Sequence, residues 1–144
     1  MNLRTFEEFL NLGLVKKVSI NKARADSLKN EAFEKRKFLD LVLSKLAKEQ
    51  YNPNFIIDNC YDILIELIRA KMLLSGFNSD SSHEAEISYL RKLNFPEKDV
   101  QFMNELKYYR NGIKYYGKIL DLEYALKVLK FMNKTYVKLE ALLF

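Results

Sequence analysis

The segment NPNFIIDNCYDILIELIRAKMLLS occupies residues 52–75 and has the composition of a helix that is buried on most of its sides. Asn52 followed by Pro53 is a favourable pair for an N-cap and a first helical turn, and Gly76 marks the end. A single stripe of this segment is polar: Asp58, Asp62, Glu66 and Arg69. A helix with so little polar surface is expected at the centre of a fold.

The chain on either side of this central helix has the apolar spacing and the capping residues of five more helices. They predict an all-α fold, an up-and-down four-helix bundle with additional short helices, in one domain over residues 1–144. The predicted segments are about 3–12 (ended by Gly13), 21–49, 81–93 (capping box of Ser81 and Glu84), 96–110 (opened by Pro96) and 121–143 (capped by Asp121).

The composition agrees with a helical globular chain and excludes several kinds of site. Only 4 Gly and 2 Pro interrupt 144 residues, and 49% of the residues are hydrophobic, so disorder is not expected. Cys60 is the only cysteine and lies in an apolar run, which indicates a buried, inert thiol without a disulfide. His83 is the only histidine. A metal site of several Cys or His ligands is therefore excluded. A carboxylate site for a hard cation is the alternative, but no acidic cluster has suitable loop spacing, so we expect no metal and no cofactor.

The location of the protein is predicted from what the sequence lacks. No apolar stretch approaches the ~20 residues that span a bilayer, and the first residues do not have the layout of a signal peptide. A cytoplasmic protein without membrane contact is expected. Its net charge of +5 and its pI near 9.2 permit a polyanionic partner without requiring one.

A basic and aromatic segment, KYYRNGIKYYGK, covers residues 107–118. At 100° per residue Lys107, Arg110, Lys114 and Lys118 share one stripe with Asn111 beside it, and Tyr108 and Tyr115 flank that stripe. Cations edged by Tyr suit phosphates and stacked bases. A solvated basic helix face is the simpler explanation of the pattern. The residues expected opposite, toward the core, are Phe102, Leu106, Tyr109, Ile113 and Tyr116.

Two glycines in this segment have two explanations. Gly112 and Gly117 each cost about 0.5 to 1 kcal/mol in a helix interior relative to Ala. They indicate either a close approach by another backbone or a ligand, or an early end of the fifth helix.

The run Tyr-Arg-Asn-Gly-Ile-Lys-Tyr-Tyr-Gly, within residues 106–118, resembles the signature helix of HEPN domains. That family has an Arg, usually followed by a polar residue such as Asn, then four to six residues and a His. The segment 82–90, Ser-His-Glu-Ala-Glu-Ile-Ser-Tyr-Leu, looks like the helix that precedes the motif, and the resemblance covers about residues 37–143.

This resemblance implies a helical homodimer with the motif helices at its interface. Active members are metal-independent endoribonucleases, in which Arg holds the phosphate and His transfers the proton. Others bind RNA or nucleotides without cleavage, and many are paired with a minimal nucleotidyltransferase in toxin–antitoxin-like operons. Arg110 matches the phosphate Arg and Asn111 its polar neighbour.

The catalytic His of the family has no counterpart at the matching positions, which hold Tyr115, Tyr116 and Gly117. A neutral Tyr, with an ordinary pKa of ~10, is a poor base at pH 7. Some paired toxins also have a Tyr two residues after the His, where the partner adds nucleotides. Counted from Tyr115, that position is Gly117.

His83 and a second lysine stripe have structural and functional interpretations. His83 is expected in the first turn of the fourth helix, at a partly buried edge, as a capping residue, a ligand contact or a proton-transfer group. The second stripe is a solvated face or an extension of a phosphate-binding surface. It consists of Lys127, Lys130, Lys134 and Lys138.

Three functions follow from these patterns. The first is a non-catalytic HEPN-like module that binds RNA, a nucleotide or a nucleotidyltransferase; the incomplete motif favours it, and it predicts no catalysis. The second is an endoribonuclease that uses Arg110 with Tyr115 or His83. The third is a structural homodimer without a ligand. The predicted ligand-binding residues are Lys107, Arg110, Asn111, Lys114, Tyr115 and Lys118.

Overall fold

Helices form nearly all the regular structure in a computed structural model, which describes residues 2–143. The all-α fold class is confirmed. Four helices are long, as expected, whereas the up-and-down order of a four-helix bundle stays a prediction. The elements are α1 (Phe6–Asn11), β1 (Lys16–Lys17), α2 (Lys22–Ser44), a 3₁₀ turn (Lys48–Gln50), α3 (Pro53–Leu74), β2 (Phe77–Asn78), α4 (His83–Lys92), α5 (Glu97–Tyr116) and α6 (Leu122–Ala141).

Helix α3 is the central helix that its sequence predicts. It contacts α2, α4, α5 and α6, and its buried residues point in nearly every direction. The side chain of Asn52 accepts a hydrogen bond from the Phe55 N–H at 3.1 Å, and Pro53 occupies the first turn. Gly76 follows the helix with a φ of +80°. The predicted start and end are therefore confirmed.

The end of α2 differs from the prediction. The helix stops at Ser44, and a 3₁₀ turn replaces the expected last turn near Glu49. The Ser44 hydroxyl donates to the Leu41 carbonyl at 2.7 Å, and the Tyr51 hydroxyl donates to the Leu43 carbonyl at 3.2 Å. These side chains bind terminal carbonyls that a longer helix would have used, so the helix ends early.

The start of α4 also differs by one residue. Ser82, not Ser81, is its N-cap, and its hydroxyl accepts a hydrogen bond from the Ala85 N–H at 3.3 Å. Ser81 has a φ of +72°, which excludes it from the helix. Helix α6 begins as predicted, because the Asp121 carboxylate accepts from the Tyr124 N–H at 2.8 Å.

The polar stripe of α3 holds the neighbouring helices by ion pairs. Glu66 pairs with Lys35 of α2, and Arg69 pairs with Glu86 of α4. Glu86 is fully buried and also accepts a hydrogen bond from the Ser79 hydroxyl at 2.6 Å. Burial raises the pKa of Glu86, and Arg69 opposes that rise. The stripe is thus matched by charges from the surrounding helices.

Cys60 lies inside α3 and is fully buried, as predicted. Burial raises the pKa of its thiol to about 12, so the thiol stays protonated at neutral pH. Among the helices of residues 2–143, none has the length and hydrophobicity required to cross a bilayer.

Candidate functional site

The C-terminal half of α5 forms one wall of an open cleft of about 480 Å³. Tyr115 and Tyr116 are 66% and 78% exposed there, which is unusual for large aromatic side chains. Tyr116 was expected to face the core and faces solvent instead, because the core packing of α5 ends before its last turn. We call this feature the tyrosine cleft; its lining residues are Tyr108, Tyr109, Asn111, Gly112, Tyr115, Tyr116 and Lys118.

The loop after α5 brings Lys118 to this cleft. Gly117 ends the helix in the left-handed conformation, with a φ of +65°, so that the Lys118 N–H reaches the Gly112 carbonyl at 3.2 Å. The Asn54 side chain, at the start of α3, then fastens the loop at two points. Its amide donates to the Lys118 carbonyl at 2.8 Å and accepts from the Leu120 N–H at 3.0 Å.

This geometry decides between the two explanations for Gly112 and Gly117. Helix α5 does not end before Gly112 but continues to Tyr116, beyond the expected end near Arg110. A Cβ at Gly112 would lie 3.4 Å from Cδ of Lys118, so the chain itself makes the close approach there. Gly117 is a helix-ending residue.

Arg110 is buried and does not line the tyrosine cleft. Its side chain is 7% exposed. The guanidinium donates to Asp58 Oδ1 at 3.0 Å and to Asp62 Oδ1 at 3.1 Å, and it lies 5.2 Å from the centre of the Tyr61 ring. Two carboxylates of α3 therefore already neutralise the charge of Arg110, the residue predicted to bind a phosphate. A phosphate would have to displace them, at the cost of leaving an unpaired charge in a partly buried place.

His83 occupies the first turn of α4 and is half-buried, as predicted. Its Nδ1 is hydrogen-bonded to the hydroxyl of the buried Tyr61 at 2.8 Å. Burial, together with the charges of Arg69, Arg110 and two nearby lysines, lowers the pKa of His83 to about 4. The imidazole is neutral at pH 7, and one of its nitrogens is engaged.

The four cations predicted to form one row on α5 differ in their surroundings: two are paired with acids and two are exposed. Lys107 is largely buried and pairs with Glu84 at 3.0 Å, and Glu84 also binds Arg4 at 3.5 Å. The hydrogen bond from Lys107 lowers the pKa of Glu84. Lys114 and Lys118, by contrast, are exposed. Hence two of the four cations of the stripe face solvent.

The three catalytic candidates do not assemble into one site. Arg110 is held by the acids of α3, His83 is held by Tyr61, and Tyr115 projects into the tyrosine cleft. The ligand-binding candidates divide in a different way. Asn111, Tyr115 and Lys118 meet in the cleft, and Lys114 is exposed on the same part of the helix.

The second lysine stripe lies on α6 above aromatic side chains. The ammonium groups of Lys127 and Lys134 are 5.7 and 5.9 Å from the ring centres of Phe102 and Phe131. Lys134 also pairs with Asp99 of α5 at 3.5 Å. Lys127 and Lys130 are exposed, so the stripe keeps unneutralised charge beside an aromatic surface.

The residues that hold Arg110, His83 and the loop after α5 in place are not identified as functional from the sequence. Asp58 and Asp62 stood out as part of the polar stripe on α3, and such a stripe on a buried helix indicates oppositely charged neighbours. Tyr61 and Asn54 gave no comparable signal, because a Tyr in an apolar run is typical of a core and Asn54 follows an ordinary helix start.

Comparisons with known proteins gave no match to a protein-family model, to a curated protein or to a solved structure. In the described part of the chain, residues 2–143, no group of three or more His, Cys, Asp or Glu side chains is placed to hold a metal ion.

Proposed function

We propose that this chain is a non-catalytic, HEPN-like helical module that binds RNA or a nucleotide in the tyrosine cleft. The cleft itself is the observation that supports the proposal. Its volume of about 480 Å³ lies within the range of ligand sites, about 300 to 1,000 Å³. Exposed Tyr rings stack on bases, the Asn111 amide bonds to base edges, and Lys118 supplies a cation for phosphate.

The absence of catalysis in this proposal follows from the states of two of the candidate groups, Arg110 and His83. Arg110 cannot accept a proton, because a guanidinium stays protonated in proteins, and its charge is neutralised by two acids. His83 has a pKa of about 4 and is hydrogen-bonded to Tyr61, so at pH 7 it is a weak base and is not in the imidazolium form that a general acid requires. General acid–base help worth roughly 10² to 10⁴ in rate is therefore missing.

A symmetric homodimer is part of the same proposal. Tyr116 and Ile119 are 78% and 86% exposed at the end of α5 and in the loop after it. Exposed apolar surface of this kind marks interaction sites, and the two residues are three positions apart in the chain. The same observation favours the second candidate function, a structural homodimer without a ligand, in which these side chains are covered by a second copy.

The resemblance to HEPN domains adds the biological setting of the proposal. It implies a minimal nucleotidyltransferase partner in a toxin–antitoxin-like system, and we propose a cytoplasmic location for the module. In that setting the chain is the member of the pair that binds RNA or a nucleotide. An endoribonuclease is the alternative function.

Titration of a fluorescently labelled RNA at low and high salt tests the proposed function. Each stacked base contributes about 1 to 3 kcal/mol, so Tyr108→Ala together with Tyr115→Ala should weaken binding at least about 10-fold. This double variant leaves Tyr116 and Ile119, the proposed dimer surface, unchanged. Phe38→Ala is the matched control, because this ring is 60% exposed on α2 and does not line the tyrosine cleft. Binding should also weaken steeply with salt. No binding at low salt, or equal binding by all variants, would favour the structural homodimer.

A further inference from the structure

A row of five aromatic rings runs from the tyrosine cleft across α5 to α6. Tyr108 and Tyr109 are 5.5 Å apart between ring centres, Tyr109 and Tyr124 5.1 Å, Tyr124 and Phe102 6.4 Å, and Phe102 and Phe131 4.4 Å. Tyr108 is 54% exposed, whereas Phe131 is buried and supports the ring above it. Tyr109, Phe102 and Tyr124 are half-buried. Tyr108, Tyr109 and Phe102 line surface clefts, so this part of the row is accessible along α5.

Three surface clefts follow this row and share residues where they meet. The tyrosine cleft and a second cleft of about 560 Å³ have Tyr108 and Tyr109 in common. The second and a third cleft of about 350 Å³ have Lys98 and Phe102 in common. The three clefts thus form one continuous depression, the α5–α6 groove. Along α5, from residue 98 to residue 116, it spans about 27 Å.

The α5–α6 groove has an excess of positive charge, and its lysines lie at the two ends. Lys118 lies at the tyrosine end, and Lys98, Lys127, Lys130 and Lys134 line the other end. Two acids also line the groove. The buried Asp99 is neutralised by Lys134 at 3.5 Å, and the exposed Glu105 stands between the lysines of the two ends. Five cations against two acids favour an extended polyanion.

We propose that the α5–α6 groove binds a single-stranded RNA segment of several nucleotides, with bases against the aromatic row and phosphates along the lysines. This inference rests on the proposed function and names its ligand. A mononucleotide would fill one of the three clefts and leave the lysines at the other end unused. A duplex hides its base faces in its own stack, so it cannot use the exposed rings.

The lysines at the α6 end allow a test that leaves the tyrosine cleft intact. Lys127→Ala with Lys130→Ala removes two exposed cations without breaking the pair of Lys134 with Asp99. Lys45→Ala with Lys48→Ala is the matched control, because these lysines are exposed near the end of α2 and line none of the three clefts.

The probes are uridine monophosphate, labelled oligouridylates of about 4, 8 and 16 nucleotides, and a duplex of the longest length, chosen to cover the site sizes of single-strand-binding domains. Affinity should rise at least about 10-fold from the mononucleotide to the oligomer that fills the groove and then level off. The α6 variant should lose about 10-fold for long oligomers but not for the mononucleotide. The slope of log affinity against log salt concentration should become shallower by about 1.4 in this variant, because two phosphate contacts are lost at about 0.7 each.

Two results would overturn the inference while the proposed function survives. One is equal affinity for the mononucleotide and all oligomers, together with no effect of the α6 variant. The other is a duplex that binds at least as tightly as the single strand. Failure of every probe to bind at low salt would overturn both the inference and the proposed function.

Discussion

Replacing Arg110 with Ala distinguishes a structural arginine from a phosphate ligand. In the wild type the guanidinium is 7% exposed and binds Asp58 and Asp62, two acids of the central helix. The substitution leaves these two carboxylates one turn apart without their shared cation. We therefore expect a large loss of stability from this single change.

The size of that loss follows from the contacts. Each charge-assisted hydrogen bond is worth about 1.5 to 3 kcal/mol, and the lower value applies because the side chains of Asp58 and Asp62 are 38% and 32% exposed. The stacking of Arg110 on Tyr61, at 5.2 Å, adds about 0.5 to 1 kcal/mol. The free energy of unfolding should fall by about 3 to 4 kcal/mol, which corresponds to roughly 10 °C in Tm.

Urea unfolding followed by circular dichroism measures this difference, with Arg24→Ala as the control at an exposed arginine. The control should stay within about 0.5 kcal/mol of the wild type. Adding Asp62→Asn to Arg110→Ala should recover part of the loss, because it removes one of the two unpaired carboxylates. If Arg110→Ala keeps wild-type stability but no longer binds RNA, Arg110 is a ligand residue and our interpretation of its burial is wrong.

Three more predictions concern pH, catalysis and assembly. The unfolded chain binds a proton at His83 near the ordinary pKa of ~6.5, whereas the folded chain does so only at about 4. The free energy of unfolding should therefore fall by about 1 to 2 kcal/mol as the pH drops through this window. Urea midpoints of His83→Gln, measured over the same pH range, should not show this loss. Wild-type protein should not cleave RNA in a gel assay, and cleavage that disappears in Arg110→Ala or Tyr115→Phe would promote the ribonuclease alternative. Sedimentation should give the mass of a dimer that Tyr116→Glu with Ile119→Glu dissociates; a wild-type monomer at tens of micromolar would contradict this.

The elements that the sequence predicts best are those whose ends depend on local chemistry. Asn52 and Pro53 begin α3 because their side chains suit a first turn whatever lies around them, and Asp121 begins α6 in the same way. The end of α5 could not be predicted, because the cost of Gly112 in a helix suggests a break. Packing of Lys118 over Gly112 and the αL conformation of Gly117 decide the outcome, and both depend on the loop held by Asn54.

The candidate site was predicted in part. Periodicity predicts that Asn111 and Tyr115 lie close together, and both line the cleft. Lys118 joins them through the loop after Gly117 and not through helical spacing. Periodicity could not show that Arg110 faces the acids of α3, because the rotation of α5 about its axis is set by contacts between helices and not by spacing within one helix. The low pKa of His83 has the same origin, since both its burial and the positive charges around it depend on how α3 and α5 pack against α4.

The central position of α3 has a consequence for how the molecule opens. The middle turns of this helix are covered by α2, α4, α5 and α6, so we expect their amides to exchange hydrogen with water only when the whole fold unfolds. The six-residue α1 has far fewer backbone hydrogen bonds to break and exchanges through local fraying. The last turn of α5, with Tyr115 and Tyr116 in solvent, belongs to this labile class as well. If RNA occupies the tyrosine cleft, amide hydrogen exchange in the last turn of α5 should slow when RNA is added. Exchange in α3 should stay unchanged and serves as the internal reference.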